Sequence, residues 1–293
     1  TTFLTMAYIL FVNPNMLAET GMDKGAVFVA TCLAAAIGSA IMGLLANYPI
    51  ALAPGMGLNA FFTYTIVGDM GYPWQTALGA VFIAGILFVV LTITRLREWL
   101  LVSIPWNLRI AMGAGIGLFV GMIGLKNGGI IIDHPATLLS LGNFQTTETL
   151  LAGLGFLAIT GLATRQFPGA ILIGILLVTG VGLSIGAVQY QGIVSMPPSV
   201  APVLGQLDIA AAFDVAMISV IASILFVNLF DTAGTLVGVA TQAGLVNEKG
   251  DIKHLDRALH ADSTSSVAGA LVGCAPVTSY VESAAGVAAG GKT

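Results

Sequence analysis

Long apolar stretches follow one another along the chain, separated by short polar loops. A hydrocarbon core about 30 Å thick needs roughly 20 apolar residues per helix. Only 8% of the residues are charged, against about 25% in soluble domains, so the chain has too little polar surface for a water-soluble particle. The sequence predicts an all-α, multi-pass membrane protein. Eight stretches approach the required length, at residues 1–18, 25–47, 73–94, 105–125, 149–164, 168–187, 214–238 and 258–274.

Two further apolar stretches, residues 49–67 and 275–290, are too irregular to be plain membrane helices, and each has an Ala-Pro pair near its start. Counting both gives ten membrane-embedded segments. The excess of Lys and Arg in cytoplasmic loops supports this count, because most of the loop cations then lie on one side of the membrane. The inner loops carry Arg95, Arg97, Arg165, Lys249, Lys253 and Arg257, whereas the outer loops carry Lys24 and Lys126.

An internal repeat relates the two halves of the chain. The pentapeptide ILFVN occurs at residues 9–13 and again at residues 224–228, and two segments after each copy comes one of the Pro-broken stretches. Seven segments precede the second copy, so the repeat is inverted in the membrane. Inverted repeats with discontinuous helices indicate a transporter whose binding site lies near the middle of the bilayer. Irregular backbone at that depth survives only where protein or a water-filled cavity satisfies it, so we expect both broken stretches to face a central cavity.

Two acids lie within the predicted membrane segments, Asp231 in segment eight and Glu282 in the second broken stretch. An intramembrane acid costs at least about 2.5–3.5 kcal/mol, which makes each a candidate functional residue. The alternative for either is a structural acid bonded to a backbone amide. Two acids without a fixed basic partner favour an uncharged, planar, polar substrate over an anion. The predicted cavity also contains Asn228, Thr232 and Thr235 on segment eight, Asn59 and Phe62 after the first break, and Thr278, Ser279 and Ser283 around the second.

Other classes of function fit the sequence less well. The net charge of −4, without a basic cluster, excludes nucleic acid as a partner. Cys32 and Cys274 are isolated in apolar stretches, which indicates packing rather than a disulfide or a metal site. Residues 286–293, GVAAGGKT, match the phosphate-loop pattern, but a Pro-broken segment precedes them, so we expect no nucleotide cofactor. The charged stretch 245–262 is interpreted as a solvated cytoplasmic loop that runs into the edge of segment nine.

Three motifs strongly resemble the AzgA-like branch of the nucleobase–cation symporter-2 family: ALAPGMGLNAFF at 51–62, VNLFDTAGTLVGVA at 227–240 and PVTSYVESAAGVAAGGKT at 276–293. The resemblance implies the fold of the uracil permease, with fourteen segments in two inverted repeats of seven. Segments three and ten there pair a short strand with a half-helix. On this basis residues 1–97 and 191–293 belong to a core domain and residues 98–190 to a gate domain. The chain begins inside one apolar stretch and stops directly after another, so we expect both ends to be cut. The resemblance implies that segments eleven to fourteen are absent.

The resemblance further implies a function, proton-coupled uptake of purine nucleobases across the cytoplasmic membrane. Asp231 and Glu282 match the family's two acids, and Asn59 matches a substrate-contacting position. Thr235 stands where uracil permeases have a His. We expect Glu282 to bind the purine and Asp231 to sense the proton, although the two roles are interchangeable at this stage, and Phe62 to stack on the purine ring. The PGMGLNAFF and VNLFD motifs favour adenine.

Several alternatives stay open on the sequence alone. They are a hypoxanthine or guanine permease of the same family and, more remotely, an anion transporter on the same fold. An intramembrane enzyme would need paired Asp residues or a nucleophile–base pair at the cavity, which the sequence does not supply. We therefore predict a transporter without cofactor or metal, whose partners are the substrate, the proton and the lipid bilayer. A homodimer is usual for the fold that the resemblance implies, but the sequence itself does not indicate the oligomeric state.

Overall fold

The structure is a computed structural model, and it describes residues 1–94, 96, 106–135, 137–165, 167, 169–189, 192, 195–247 and 252–291. Arg95, Arg97 and Lys249 of the predicted inner loops lie outside the described residues, as do the last two residues of the phosphate-loop match. Within the described part of the chain, four helices are long and apolar enough to cross a membrane. They span Lys24–Ala46, Trp74–Ile93, Thr147–Thr164 and Val215–Gln242. Large apolar side chains cover much of the outer surface, as in a protein surrounded by lipid; Leu44, for example, is 87% exposed.

The helices and strands follow the predicted segments closely, and both irregular stretches contain a strand and a short helix. The helices are α1 Thr2–Met6, α2 Ile9–Ala18, α3 Lys24–Ile41, α4 Met56–Ala60, α5 Trp74–Ile93, α6 Trp106–Asn127, α7 Thr147–Thr164, α8 Ala170–Ser184, α9 Val215–Gln242, α10 Leu255–Val272 and α11 Ser283–Ala288. The strands are β1 Leu52–Pro54, β2 Ile131–His134, β3 Leu138–Leu141 and β4 Val277–Ser279. Helices α3 and α4 continue as π-helix over Met42–Ala46 and Phe61–Asp69.

Helix ends are set by local chemistry. Helix α3 begins after Asp23, whose carboxylate accepts a 2.7 Å hydrogen bond from the Ala26 amide. Such a cap satisfies one of the free N–H groups at a helix start. Helix α10 ends at Gly273, which has a φ of +91°. Glycine adopts this left-handed conformation without strain, so the chain turns here toward the second broken stretch.

The chain forms two compact units. The smaller unit comprises Thr1, Phe3–Tyr8 and Ile116–Met196. Within it β2 and β3 form an antiparallel hairpin, and α7 packs against α8. A Cβ added at Gly174 on α8 would lie 2.2 Å from Ile159 Cγ1 on α7, so only glycine permits this close approach.

The larger unit comprises Thr2, Ile9–Gly115 and Pro197–Thr293. Its apolar core joins α3, α5, α9 and α10 around the two broken stretches. Small residues bring these helices together: a Cβ on Gly85 of α5 would lie 3.0 Å from Val267 of α10. The largest fully buried side chains of this unit include Phe62, Phe88, Met42, Met217, Leu78 and Leu236.

The two broken stretches meet as a two-stranded antiparallel sheet inside the larger unit. Strands β1 and β4 pair with Ala53 opposite Thr278. The Gly55 amide donates to the Pro276 carbonyl over 2.9 Å, and the Tyr280 amide donates to the Ala51 carbonyl over 3.0 Å. The irregular backbone therefore satisfies its own polar groups across the pair, as a membrane interior requires.

Each outer edge of this small sheet is covered by one serine from a neighbouring helix. Ser39 on α3 exchanges hydrogen bonds of 3.2 and 3.0 Å with the carbonyl and amide of Leu52 in β1. Ser266 on α10 donates a 2.6 Å hydrogen bond to the Val277 carbonyl in β4. A serine from a neighbouring helix thus satisfies the outer edge of each strand.

Candidate functional site

The structure brings the two predicted membrane acids together. Asp231 lies in the middle of α9, and its carboxylate accepts a hydrogen bond from the Thr278 hydroxyl of β4. It lies close enough to Asp262 and Glu282 for their charges to interact with it. Glu282 directly precedes α11, and both predicted acids are half-buried. A polar site therefore exists where segment eight meets the second broken stretch.

Asp262 is a third acid of this site, and the sequence interpretation missed it. It was assigned to the end of a solvated loop, whereas it lies inside α10 and is 0% exposed. Its Oδ2 accepts a 2.9 Å hydrogen bond from Thr232, and its Oδ1 accepts a 3.2 Å hydrogen bond from Ser279. The loop assignment was wrong because the charges just before Asp262 masked the start of the helix.

Two of the residues predicted to line the cavity from α9 instead face α10. Asn228 is buried, and its side-chain amide donates a 3.3 Å hydrogen bond to Ser266. Thr232 is buried and bonded to Asp262. These contacts make Asn228 a packing residue between helices in this structure. Thr235, one turn further along, is half-buried.

Ser283 and Phe62 are also placed differently from the expectation. The Ser283 hydroxyl accepts a 3.0 Å hydrogen bond from the Ala51 amide, so it joins the start of α11 to the first broken stretch. Phe62 is 1% exposed and lies in the apolar core. With its ring covered by core side chains, Phe62 does not have the open face that stacking on a substrate requires.

Asn59 lies one helical turn beyond the crossing of the two strands. Its backbone amide donates to the Gly55 carbonyl over 2.8 Å. A Cβ added at Gly55 would lie 2.8 Å from the Thr278 hydroxyl, the group bonded to Asp231. Asn59 thus lies one turn beyond the residue of the first broken stretch that contacts Thr278.

A buried amide cluster, formed by Asn13, Thr31, Asn59 and Cys274, holds the Asn59 side chain. The Asn59 Nδ2 donates to the Asn13 Oδ1 over 2.5 Å. The Asn13 Nδ2 in turn donates to the Thr31 hydroxyl over 2.7 Å and to the Cys274 sulfur over 3.3 Å. All four side chains are 0% exposed.

Asn13 was not among the predicted site residues, although the repeat contains the signal for it. Asn13 and Asn228 are the last residues of the two ILFVN copies. Each donates its amide to a hydroxyl on the following long helix, Thr31 of α3 or Ser266 of α10. The repeat is therefore structural as well as sequential, and comparing its two copies would have identified Asn13.

Comparison with known proteins identifies the family of the chain. The Xan_ur_permease model, described as a permease family, matches residues 1–293. The chain belongs to this permease family. The resemblance found in the three motifs is thereby confirmed: the chain is a multi-pass membrane protein, and its relatives are named as permeases and not as enzymes.

The similar proteins include two adenine permeases and a guanine/hypoxanthine permease. The chain is 52% identical over 293 residues to the adenine permease AdeP of Escherichia coli K12, covering 100% of the chain and 66% of AdeP. It is 47% identical over 293 residues to AdeQ of the same organism, with the same coverage. It is 48% identical over 305 residues to the guanine/hypoxanthine permease PbuG of Bacillus subtilis 168, covering 100% of the chain and 69% of PbuG. The permease chain thus spans about two thirds of the length of these relatives.

A solved structure confirms the predicted fold. The permease matches the transmembrane domain of the cyanobacterial bicarbonate transporter BicA with a TM-score of 0.67 at 15% identity. The match covers 99% of this chain and 77% of that domain. Identity this low supports a common fold and carries no information about the substrate.

Proposed function

We propose that the protein is a secondary active transporter that takes up purine nucleobases with protons, with adenine favoured. The observation that carries this proposal is the proximity of Asp231 and Glu282, two half-buried acids in the second copy of the repeat, beside the crossing of the broken stretches. Acids at membrane depth are costly and mark substrate or proton pathways. The relatives named as adenine permeases support the choice of substrate.

The site fits a neutral, flat heterocycle with several N–H groups. Charged carboxylates accept hydrogen bonds and do not donate them, so Glu282 and Asp231 bind ring or exocyclic N–H groups. Asp231 interacts with the charges of two other acids, Asp262 and Glu282, so in this proposal Asp231 is the proton-sensitive partner and Glu282 is the direct ligand. Asn59 adds a third contact from the opposite broken stretch.

Proton coupling follows in this proposal from the crowding of the acids. Asp231 is close to both Asp262 and Glu282, and carboxylates that share a site away from water do not all remain charged. A proton taken up from outside the cell neutralises Asp231 while the substrate binds. Movement of a core domain, residues 1–97 and 191–293, against a gate domain that includes residues 98–190 then exposes the site to the cytoplasm.

The test is uptake of radiolabelled adenine and hypoxanthine by the full-length protein in cells that lack their own purine permeases. Glu282→Gln and Asp231→Asn should each lose uptake at normal surface expression, and a protonophore should abolish wild-type uptake. Asp214→Asn is the matched control, because Asp214 is an exposed cap at the start of the same helix, α9, and Asn caps equally well. Wild-type uptake by both acid variants would contradict the mechanism.

An anion transporter on the same fold is the alternative that the sequence left open. Three neighbouring acids repel an anion, which disfavours this candidate. A thermal-shift panel on the detergent-solubilised full-length protein separates the two, because a ligand raises the melting temperature only if it binds the folded state. Stabilisation by adenine and not by bicarbonate or sulfate supports the purine proposal, and the reverse pattern rejects it.

A further inference from the structure

Two buried polar atoms on the first broken stretch have no hydrogen-bond partner among the described residues. They are the Asn59 Oδ1 and the Thr63 Oγ1. Asn59 is 0% exposed and Thr63 is 3% exposed, and Thr63 follows Asn59 by four residues. An unpaired buried polar atom is costly, and native proteins keep few of them. Both atoms therefore point to a ligand that supplies the missing partner.

The direction of the hydrogen bonds in the amide cluster decides which atom of Asn59 is unpaired. The Thr31 hydroxyl donates its single proton to the Val27 carbonyl over 2.7 Å. Toward Asn13 that hydroxyl only accepts, so the Asn13 group bonded to it is the NH₂ group. The Asn13 carbonyl oxygen then faces Asn59 and accepts from its NH₂ group. Asn59 is left with its carbonyl oxygen as the group available to a ligand.

The neighbouring side chains fix the direction of the hydrogen bond between Asn59 and Asn13. Turning the Asn59 amide over would set its oxygen against the Asn13 oxygen, at the 2.5 Å that now separates bonded atoms. Turning Asn13 as well would require the Thr31 hydroxyl to give up its bond to the Val27 carbonyl and the Cys274 thiol to donate instead of accept. The cluster therefore turns as a whole or not at all.

We propose that Thr31 and Asn13 are positioning residues that present Asn59 to the substrate as a hydrogen-bond acceptor only. The inference rests on the proposed function and adds the chemical feature that the site selects. This feature is an amino group, rather than a ring carbonyl, at the position of the nucleobase that Asn59 contacts. A free asparagine serves either group by turning its amide over, whereas a fixed acceptor facing a carbonyl leaves two oxygens without a proton between them.

The test compares nucleobases that differ by amino-for-oxo exchange at one ring position, beginning with adenine and hypoxanthine. Competition against radiolabelled substrate in the full-length protein gives an affinity ratio for each pair. Wild type should favour the amino member of at least one pair by about tenfold or more. Thr31→Val keeps the side-chain shape but removes the hydroxyl that fixes the cluster, and should bring this ratio to within about twofold of one. Thr31→Ser restores the hydroxyl and should restore the ratio.

A second variant covers the case in which Thr31→Val does not accumulate in the membrane. Asn59→Asp carries two oxygens that only accept when charged, so the amino preference should persist whatever the direction of the cluster. Asn59→Leu has no acceptor and should lose the preference. Loss of the preference in Asn59→Asp as well as in Asn59→Leu overturns the inference.

The remaining outcomes separate this inference from the proposed function. Uptake of no nucleobase by wild type rejects the proposed function and the inference with it. Nucleobase uptake without an amino preference, or with one that Thr31→Val leaves unchanged, overturns the inference alone. If wild-type uptake depends on sodium and this dependence disappears in Asn59→Leu, the Asn59 Oδ1 binds a cation. This result also overturns the inference.

Discussion

The Thr232 hydroxyl on α9 donates a 2.9 Å hydrogen bond to Asp262 on α10, and both side chains are 0% exposed. Ser279, at the end of β4, donates to the other oxygen of the same carboxylate over 3.2 Å. Asp262 therefore connects the helix that carries Asp231 to the strand that carries Thr278. This connection holds α9 and β4, which carry Asp231 and Thr278, in a fixed arrangement at the candidate site.

Removing the Thr232 hydroxyl should destabilise the protein by about 1–3 kcal/mol, because a buried carboxylate oxygen loses its donor. Thr232→Val keeps the shape of the side chain, and Thr232→Ser, which retains the hydroxyl, is the control. Thermal unfolding of the purified full-length protein in detergent measures the difference. Equal melting temperatures for the Val and Ser variants would show that this hydrogen bond does not stabilise the fold.

The close contact between Gly55 and Thr278 gives a second prediction. A Cβ on Gly55 would lie 2.8 Å from the Thr278 hydroxyl and 3.1 Å from its methyl carbon. Gly55→Ala should therefore push β1 away from β4, at a cost of about 1–3 kcal/mol for overpacking, and should impair uptake. Gly43→Ala is the control, because a Cβ there meets nothing within 4 Å.

Removing the Thr278 atoms that crowd position 55 tests whether this contact causes the destabilisation of Gly55→Ala. Thr278→Ala removes both atoms that crowd position 55, so the Gly55→Ala/Thr278→Ala double variant should recover the melting temperature lost when a methyl group is added at Gly55. Uptake should stay low, because Asp231 loses its hydroxyl partner in the double variant. A double variant no more stable than Gly55→Ala would mean that strand crowding is not the cause.

The broken stretches and the repeat could be predicted from the sequence, because Ala-Pro pairs and a repeated pentapeptide are local signals. The sequence was insufficient for the pairing of Ala53 with Thr278, which joins distant parts of the chain. Asp262 escaped notice because a hydropathy window averages it with the charges before it. The four hydroxyl residues that follow Asp262, at 263–266, were the available sign of a polar turn inside this helix.

Side-chain direction was the other limit of the sequence. Asn228, Asp231 and Thr232 are spaced i, i+3 and i+4 and therefore share one helix face, but this spacing does not say what the face contacts. In the structure it meets Ser266, Thr278 and Asp262. Similarly, an aromatic residue three positions after Asn59 fits a stacking platform or the core equally well in sequence, and burial decides for the core at Phe62.

The position of Phe62 yields a third prediction. Phe62→Leu should lower stability by about 1–2 kcal/mol through lost packing, while the KM for adenine stays within about twofold of wild type, because the ring faces core side chains. Melting temperature and uptake kinetics measured on the same preparation separate the two effects. A KM raised tenfold at unchanged stability would support the stacking role that the sequence first suggested.

The two serines at the edges of the small sheet provide the last prediction. Ser266 donates to the Val277 carbonyl over 2.6 Å and accepts from the Asn228 amide over 3.3 Å. Ser266→Ala leaves both groups without this partner inside the protein and should cost about 1–3 kcal/mol.

Ser39→Ala should cost a similar amount at the opposite edge, because Ser39 serves both the amide and the carbonyl of Leu52. Ser219→Ala is the matched control, since Ser219 is exposed and bonded only within its own helix. Melting temperatures of the three variants test the pair together. If one edge serine proved as neutral as Ser219 while the other did not, the two halves of the repeat would not support the crossing strands equally.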